Sequence, residues 1–106
     1  MHRVLGPGFL ESVYEEALCV ELQLQEIRFH RQYPVSLEYK GRRIGQQFLD
    51  LIAEAQVVVE LKAVESLLPI HTAQVLSYLR ATGCLLGLLI NFNSVVRRDG
   101  IKRVVL

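Results

Sequence analysis

The chain has 106 residues, of which 51% are apolar and 22% are charged, and its formal net charge is +1. This length gives one hydrophobic core but hardly two, so we expect a single domain over 1–106. The composition excludes a disordered protein, and the near-neutral charge excludes one that binds nucleic acid through bulk positive charge. The longest apolar run, 84–90, is far below the roughly 20 residues of a membrane span. A soluble, cytoplasmic protein without a membrane partner is expected.

The elements are predicted from the spacing of apolar residues, which recurs every three or four positions in helices, and from β-branched and aromatic runs, which favour strands. In chain order they are a helix from about residue 10 to residue 25 or 26, strands at 29–39, 44–53 and 57–64, a helix at 70–82, and strands at 85–92 and 100–106. The order α-β-β-β-α-β-β predicts an α/β fold with a mixed sheet.

Single residues refine this order. Pro34 indicates an edge strand or a bulge, because proline cannot donate to a sheet ladder. Gly83 is placed to end the second helix. The strand at 57–64 is so apolar on one side that we expect it in the centre of the sheet.

Three charged residues, Asp50, Glu60 and Lys62, lie on one face of the hairpin predicted from the second and third strands. If the chain turns at 54–56, antiparallel partners have residue numbers that sum to 110. Asp50 then lies opposite Glu60 with Cβ atoms roughly 5 Å apart, and Lys62 lies beside Glu60. The same period places Phe48, Ile52 and Val58 on the charged face and Leu49, Leu51, Ala53, Val57, Val59, Leu61 and Ala63 on an apolar core face.

Two carboxylates opposite each other destabilise a sheet unless something neutralises them. A hard divalent ion would do so, and magnesium commonly takes one or two carboxylates while keeping waters and phosphate oxygens as other ligands. A lysine nearby can orient or help deprotonate an attacking water. The alternative is a surface ion pair of Lys62 with Asp50 or Glu60 on a solvated face.

Gln74 and Tyr78 are four residues apart on the second helix and therefore share one of its faces. Because this helix directly follows the strand that carries Glu60 and Lys62, the amide and the phenol could bind a phosphate oxygen or a base. The alternative is an ordinary helix with a half-buried tyrosine and a solvated glutamine.

Glu11 lies at the start of the first helix, with Tyr14 on the same side one turn later. The carboxylate could point at the metal site. Alternatively, it could serve only to stabilise the helix, because an acid in the first turn interacts favourably with the helix dipole.

The remaining candidates are weaker. Basic groups at 40–43 and 97–103 could track a phosphate backbone or could be solvated turns and strand edges. Cys19 and Cys84 are expected to be reduced core residues. His71 could contact a phosphate or a metal shell, but a capping or surface role is favoured.

Taken together, the segments LGPGFLESVYEEAL at 5–18, Asp50 with Glu60-Leu-Lys62, HTAQVLSYLRATG at 71–83 and GLLINF at 87–92 resemble the GxxExxY protein family. The motif of that family is represented here by Gly8, Glu11 and Tyr14. The family is assigned to the PD-(D/E)XK nuclease-like superfamily, and the resemblance extends over essentially the whole chain. It implies a restriction-endonuclease-like core with a mixed central sheet flanked by helices.

The resemblance also implies roles for individual residues. Asp50 and Glu60 would bind Mg²⁺ or Mn²⁺, Lys62 would be the motif lysine, and Glu11 would be the helix-one acid. Gln74 and Tyr78 are similar to the Q-x-x-x-Y element of the RecB-like exonuclease branch. We therefore expect a metal-dependent nuclease that hydrolyses phosphodiester bonds, with DNA favoured over RNA.

The sequence is also compatible with other functions. A catalytically inactive module could keep the nuclease fold and bind nucleic acid or a protein partner, and a homodimer is compatible with either function. The chain also departs from its family, because Leu49 replaces the usual proline and few residues precede the Gly-Pro-Gly loop. A chain shortened at its N-terminus is expected from the second departure.

Overall fold

Seven elements build a mixed five-stranded sheet flanked by two helices in the computed structural model, which describes residues 11–92 and 100–106. They are helix α1 (Glu11–Leu24), strands β1 (Phe29–Tyr39), β2 (Arg42–Ala53) and β3 (Val57–Lys62), helix α2 (Pro69–Thr82), and strands β4 (Leu86–Asn91) and β5 (Ile101–Val105). The predicted fold class and element order are confirmed. The Gly-Pro-Gly loop at 6–8, the helix position at Leu10 and the basic pair at 97–98 lie outside the described residues.

The strands lie side by side in the order in which they occur along the chain. β3 and β4 are parallel and are joined through α2, whereas the other three pairs are antiparallel. β1 is therefore an edge strand, as Pro34 predicted, and β3 is central, as its apolar character predicted.

α1 ends one or two residues before its predicted end, and α2 ends where Gly83 predicted. α1 ends at Leu24, and Glu26 adopts a positive φ of 59° just beyond it. α2 ends before Gly83, whose φ is 79° and whose amide donates to the Leu79 carbonyl at 2.9 Å. At the other end of α2, His71 Nδ1 accepts a hydrogen bond from the Leu68 amide at 2.9 Å. His71 is thus a capping residue.

The β2–β3 hairpin has the predicted register, with Leu51 opposite Val59 and Ala53 opposite Val57. Its turn contains Glu54 and Ala55 with φ of 52° and 54°, a conformation that is unusual for residues other than glycine. Glu54 is held there by Arg28, because each residue donates its amide to the other: Glu54 to the Arg28 carbonyl at 2.8 Å, and Arg28 to Glu54 Oε1 at 3.0 Å.

Two apolar clusters form the core, one beneath each helix. The cluster under α2 contains Val35, Leu49, Ile52, Val58, Val75, Tyr78, Leu79, Cys84, Leu89 and Val104. The cluster under α1 contains Tyr14, Cys19, Leu51, Val59, Leu61 and Phe92. Each fully buried leucine or valine contributes about 1.5–3 kcal/mol through its removal from water. Both cysteines are free and buried, as expected.

The prediction that Leu49 and Leu51 share one face of the sheet is wrong. Leu49 packs under α2 and Leu51 packs under α1, so the alternation of side chains along β2 is interrupted at Asp50. β1 is irregular at the same level, because Gln32, between the residues that pair with Leu49 and Leu51, has a φ of 49°. The strands change face together at the position where the carboxylate of Asp50 lies.

Neither described helix is long and apolar enough to cross a membrane.

Candidate functional site

Asp50 and Glu60 lie where β2 and β3 separate. The ladder between these strands pairs Leu51–Ala53 with Val57–Val59. Beyond that point side-chain carboxylates replace main-chain carbonyls as acceptors. The Asp50 amide donates to Glu60 Oε1 at 2.8 Å, and the Leu61 amide donates to Asp50 Oδ2 at 2.8 Å. The two carboxylates thus occupy the gap between the strands, each bound through one oxygen to the opposite strand.

Burial makes this pair electrostatically unfavourable. Glu60 is 3% exposed, and its pKa is raised to about 8, first by burial and then by the charge of Asp50. The pKa of Asp50 is also raised, mainly by burial, with smaller contributions from the charges of Glu15 and Glu11. A cation would relieve both effects, because it favours the ionised form of each acid.

Lys62 is the last residue of β3 and the cation that acts on both acids. Its charge lowers the pKa values of Asp50 and Glu60. Over residues 11–92 and 100–106, both ion pairs are made by Arg31, with Glu15 and Glu16. The alternative of a surface ion pair between Lys62 and either acid is therefore not observed in the described part of the chain.

The position of Lys62 is fixed by β4. Lys62 is in register with Asn91 in the parallel pair, and its carbonyl accepts the Phe92 amide at 2.9 Å. The Asn91 side chain then binds both main-chain groups of Val64, accepting the amide at 3.1 Å and donating to the carbonyl at 2.9 Å. Asn91 is buried and holds the segment after Lys62, a role that its place in an apolar strand did not reveal.

An acidic cavity of about 210 Å³ opens between α1 and Asp50, and its walls include Glu11, Ser12, Glu15, Gln32 and Leu61. Glu11 is exposed at the start of α1. Glu15 follows one turn later, where it binds Arg31 at 2.7 Å and Gln32 at 2.9 Å. Glu15 was missed by the sequence reasoning, although its spacing of four from Glu11 placed it on the same helix face.

Within the described residues, no three acidic, histidine or cysteine side chains come close enough to hold a metal ion together. Glu11 thus lines the cavity beside Asp50 without joining a three-residue cluster.

Tyr14, which lies on the same helix as Glu11, is a buried core residue. Its side chain is 0% exposed, and its ring stacks on Phe92 with centroids 4.5 Å apart and an interplanar angle of 4°. The stack ties α1 to the end of β4, directly after Asn91.

Gln74 and Tyr78 share one face of α2, as their spacing predicted, and a hydrogen bond joins them. Gln74 Nε2 donates to the Tyr78 hydroxyl at 3.2 Å, and that hydroxyl donates to Gln47 Oε1 at 3.1 Å. The pKa of Tyr78 is raised, chiefly by burial and then by the charge of Glu60. Tyr78 is therefore within range of the charges of the acid pair. Gln47, three residues before Asp50, was missed because only the packing of α2 on β2 brings it to Tyr78.

A family model for the PD-(D/E)XK nuclease superfamily matches residues 1–104. The chain belongs to this superfamily. Comparison with curated proteins and with solved structures gave no match.

Nucleases of the PD-(D/E)XK superfamily typically use divalent metals, and the residues present here fit such an ion. Asp50 and Glu60 supply hard oxygen donors. Each carboxylate accepts a main-chain amide through one oxygen, and the two carboxyl groups also share a hydrogen bond, whose proton a divalent cation would replace. The neighbouring cavity of about 210 Å³ has room for the waters that magnesium retains.

Proposed function

We propose that this domain is a Mg²⁺- or Mn²⁺-dependent nuclease that hydrolyses phosphodiester bonds, with DNA favoured over RNA. One observation carries the proposal: two carboxylates with raised pKa values are wedged between separating strands, with a lysine close to both. Stability does not account for this arrangement, since burying two acids side by side is costly.

The proposal assigns a role to each side chain. Asp50 and Glu60 hold the cation, and Lys62 orients the attacking water and offsets the negative charge that develops on the phosphate. Glu11 supports the metal or the water from the cavity wall. A bound divalent cation supplies Lewis-acid polarisation of the phosphate.

Gln74, Tyr78 and Gln47 form the substrate-facing part of the proposed site. The hydroxyl of Tyr78 is occupied between the two amides. The remaining N–H donors of Gln74 and Gln47 are then oriented to hold a phosphate oxygen or a base. Membership of the GxxExxY family and of the RecB-like branch is part of this proposal, as are a single domain over 1–106 and a cytoplasmic location.

Substitution of the acid pair and the lysine tests the proposed activity. Asp50→Asn and Lys62→Ala are each expected to lower the rate of metal-dependent oligonucleotide cleavage by about 100-fold or more, because each removes preorganised charge at the reacting phosphate. Cleavage is measured with a labelled DNA strand in Mg²⁺ or Mn²⁺, and folding is checked by thermal unfolding.

Glu65→Gln and Lys102→Ala are matched controls, since both residues are exposed and neither is among the groups whose charges shift the pKa values of Asp50 and Glu60. Their rates are expected to equal that of the parent. Full activity in both Asp50→Asn and Lys62→Ala would refute these roles.

The second candidate function is an inactive module that keeps the nuclease fold and binds nucleic acid or a protein partner. It is favoured by the absence of a three-acid cluster within the described residues. This module would bind DNA in a salt-dependent manner in the absence of metal, and divalent ions would neither raise its thermal stability nor elicit cleavage.

A further inference from the structure

The outer part of β1 and β2 projects from the sheet as a two-stranded arm. β1 and β2 are paired from Phe29–Ala53 to Tyr39–Arg42, but β3 pairs with β2 only from Leu51 to Ala53. The nine residues from Arg42 to Asp50 are separated by eight steps and span roughly 26 Å at the rise of a strand. We call residues 39–44 the tip of this arm. All of them are exposed.

The tip is the densest group of cations among the described residues. Lys40, Arg42 and Arg43 fall within four positions, and Glu38 is the single acid between residues 33 and 48. In the described part of the chain, no carboxylate forms an ion pair with any of the three. Exposed cations that form no ion pair contribute little to the stability of a fold. The clustering of three of them at a projecting turn therefore needs another reason.

The tip also presents an aromatic platform. Tyr39 is 61% exposed, and Lys40 Nζ lies 5.4 Å from the centroid of its ring. Phe48, two residues before Asp50, is 54% exposed. Exposed aromatic rings beside cations are the means by which proteins bind unpaired bases, since every base can stack and its phosphate is neutralised nearby.

The distribution of charge explains why such a surface is needed. The cavity beside Asp50 is bounded by Glu11 and Glu15, which repel a polyanion, and the whole chain carries only +1. Attraction for a nucleic acid must therefore come from a local cationic surface. The tip is joined to Asp50 by one continuous strand, so it is held at a fixed distance from the acid pair.

We propose that the tip of the β1–β2 arm binds a single-stranded segment of the nucleic acid at a distance of roughly 26 Å from the acid pair. Lys40, Arg42 and Arg43 contact phosphates, and Tyr39 stacks on a base. This inference rests on the proposed nuclease function for its substrate, but the binding surface exists independently of cleavage.

Binding is measured by fluorescence anisotropy with a labelled oligothymidylate of 20 nucleotides. EDTA is present to chelate divalent ions, so that no cleavage occurs. The variant Arg42→Ala/Arg43→Ala is expected to bind about 10-fold or more weakly and to lower the slope of log K against log salt by about 1.4, because two phosphate contacts are lost. Tyr39→Ala is expected to lower the affinity for the oligonucleotide about 10-fold without changing the slope of log K against log salt.

Lys102→Ala/Arg103→Ala is the matched control, since it removes two exposed cations from β5 at the other edge of the sheet. It is expected to bind within about twofold of the parent. Equal losses in the two double variants, or no loss in the tip variant, would overturn the proposal. An equal loss of affinity for a 20-base-pair duplex would overturn its single-strand specificity.

A comparison of substrates separates this inference from the proposed function. Thymidine 5′-p-nitrophenyl phosphate is a phosphodiester too short to reach the tip. The tip variant is expected to hydrolyse it at the parental rate while its KM for the oligonucleotide rises. If the parent cleaves neither substrate but the tip variant still loses oligonucleotide binding, the nuclease proposal fails and the tip proposal stands.

Discussion

Glu60 is a buried acid whose ionised form is disfavoured in the folded state. Its folded-state pKa of about 8 lies well above the ordinary value of 4.5, because the carboxyl is buried and faces Asp50. A raised pKa means that the folded state favours the protonated acid. The associated stability is present below about pH 4.5 and is lost as the pH rises through 8. The raised pKa of Asp50 acts in the same direction.

The metal-free protein is therefore expected to lose thermal stability between about pH 5 and pH 9. Glu60→Gln removes the ionisation, so its midpoint should depend less on pH in this range and should exceed that of the parent at pH 9. The measurement is thermal unfolding in EDTA at several pH values. Parallel profiles for the parent and for Glu60→Gln would contradict the raised pKa.

Part of the site could be predicted from sequence at the scale of residues. The opposition of Asp50 and Glu60 follows from the hairpin register, and the contact of Gln74 with Tyr78 follows from helical spacing. Gln47 and Asn91 could not be found in the same way, because their roles depend on the packing of α2 on β2 and on the pairing of β4 with β3. These contacts lie far apart in sequence and leave no local pattern.

Helix α2 packs tightly on β4 at Gly87. A Cβ added to Gly87 of β4 would lie 2.5 Å from Val75 Cγ1 and 3.5 Å from Leu79 Cδ2. The absence of a side chain at this position lets α2 lie directly on the central strands. This approach also brings Tyr78 toward the acid pair.

Gly87→Ala is expected to destabilise the fold by about 1–3 kcal/mol, because the extra methyl group overpacks the core. Gly45→Ala is the matched control: it lies in β2, and nothing is within 4 Å of an added Cβ. Its effect should remain within about 0.5 kcal/mol. Urea unfolding measures both, and equal effects in the two variants would contradict the tight contact at Gly87.

Element bounds agreed with the sequence to within two residues, because their signals are local. Pro34 indicated an edge strand or a bulge, Gly83 ended α2, and the apolar side of the strand at 57–64 indicated a central position. The change of face between Leu49 and Leu51 was not predicted. Simple alternation assumes a continuous ladder, whereas here side-chain carboxylates replace main-chain acceptors at Asp50 and Glu60, and Gln32 adopts a positive φ opposite them.

At the scale of the whole molecule, opposite charges are separated along one strand. The acidic cavity lies at the inner end of β2, between α1 and the sheet, and the cationic tip lies at its outer end. The nearly neutral net charge is thus the sum of one acidic region and one basic region. Under the proposals made above, this separation lets a domain with a net charge of +1 hold a divalent cation at one place and attract a polyanion at another.

A crystal structure at saturating Mn²⁺ with anomalous data tests directly whether Asp50 and Glu60 together hold a divalent cation. We expect an anomalous peak within about 2.3 Å of an oxygen from each carboxylate, and no such peak in Asp50→Asn. Crystals saturated with Mn²⁺ but without a peak between these two side chains would contradict this expectation.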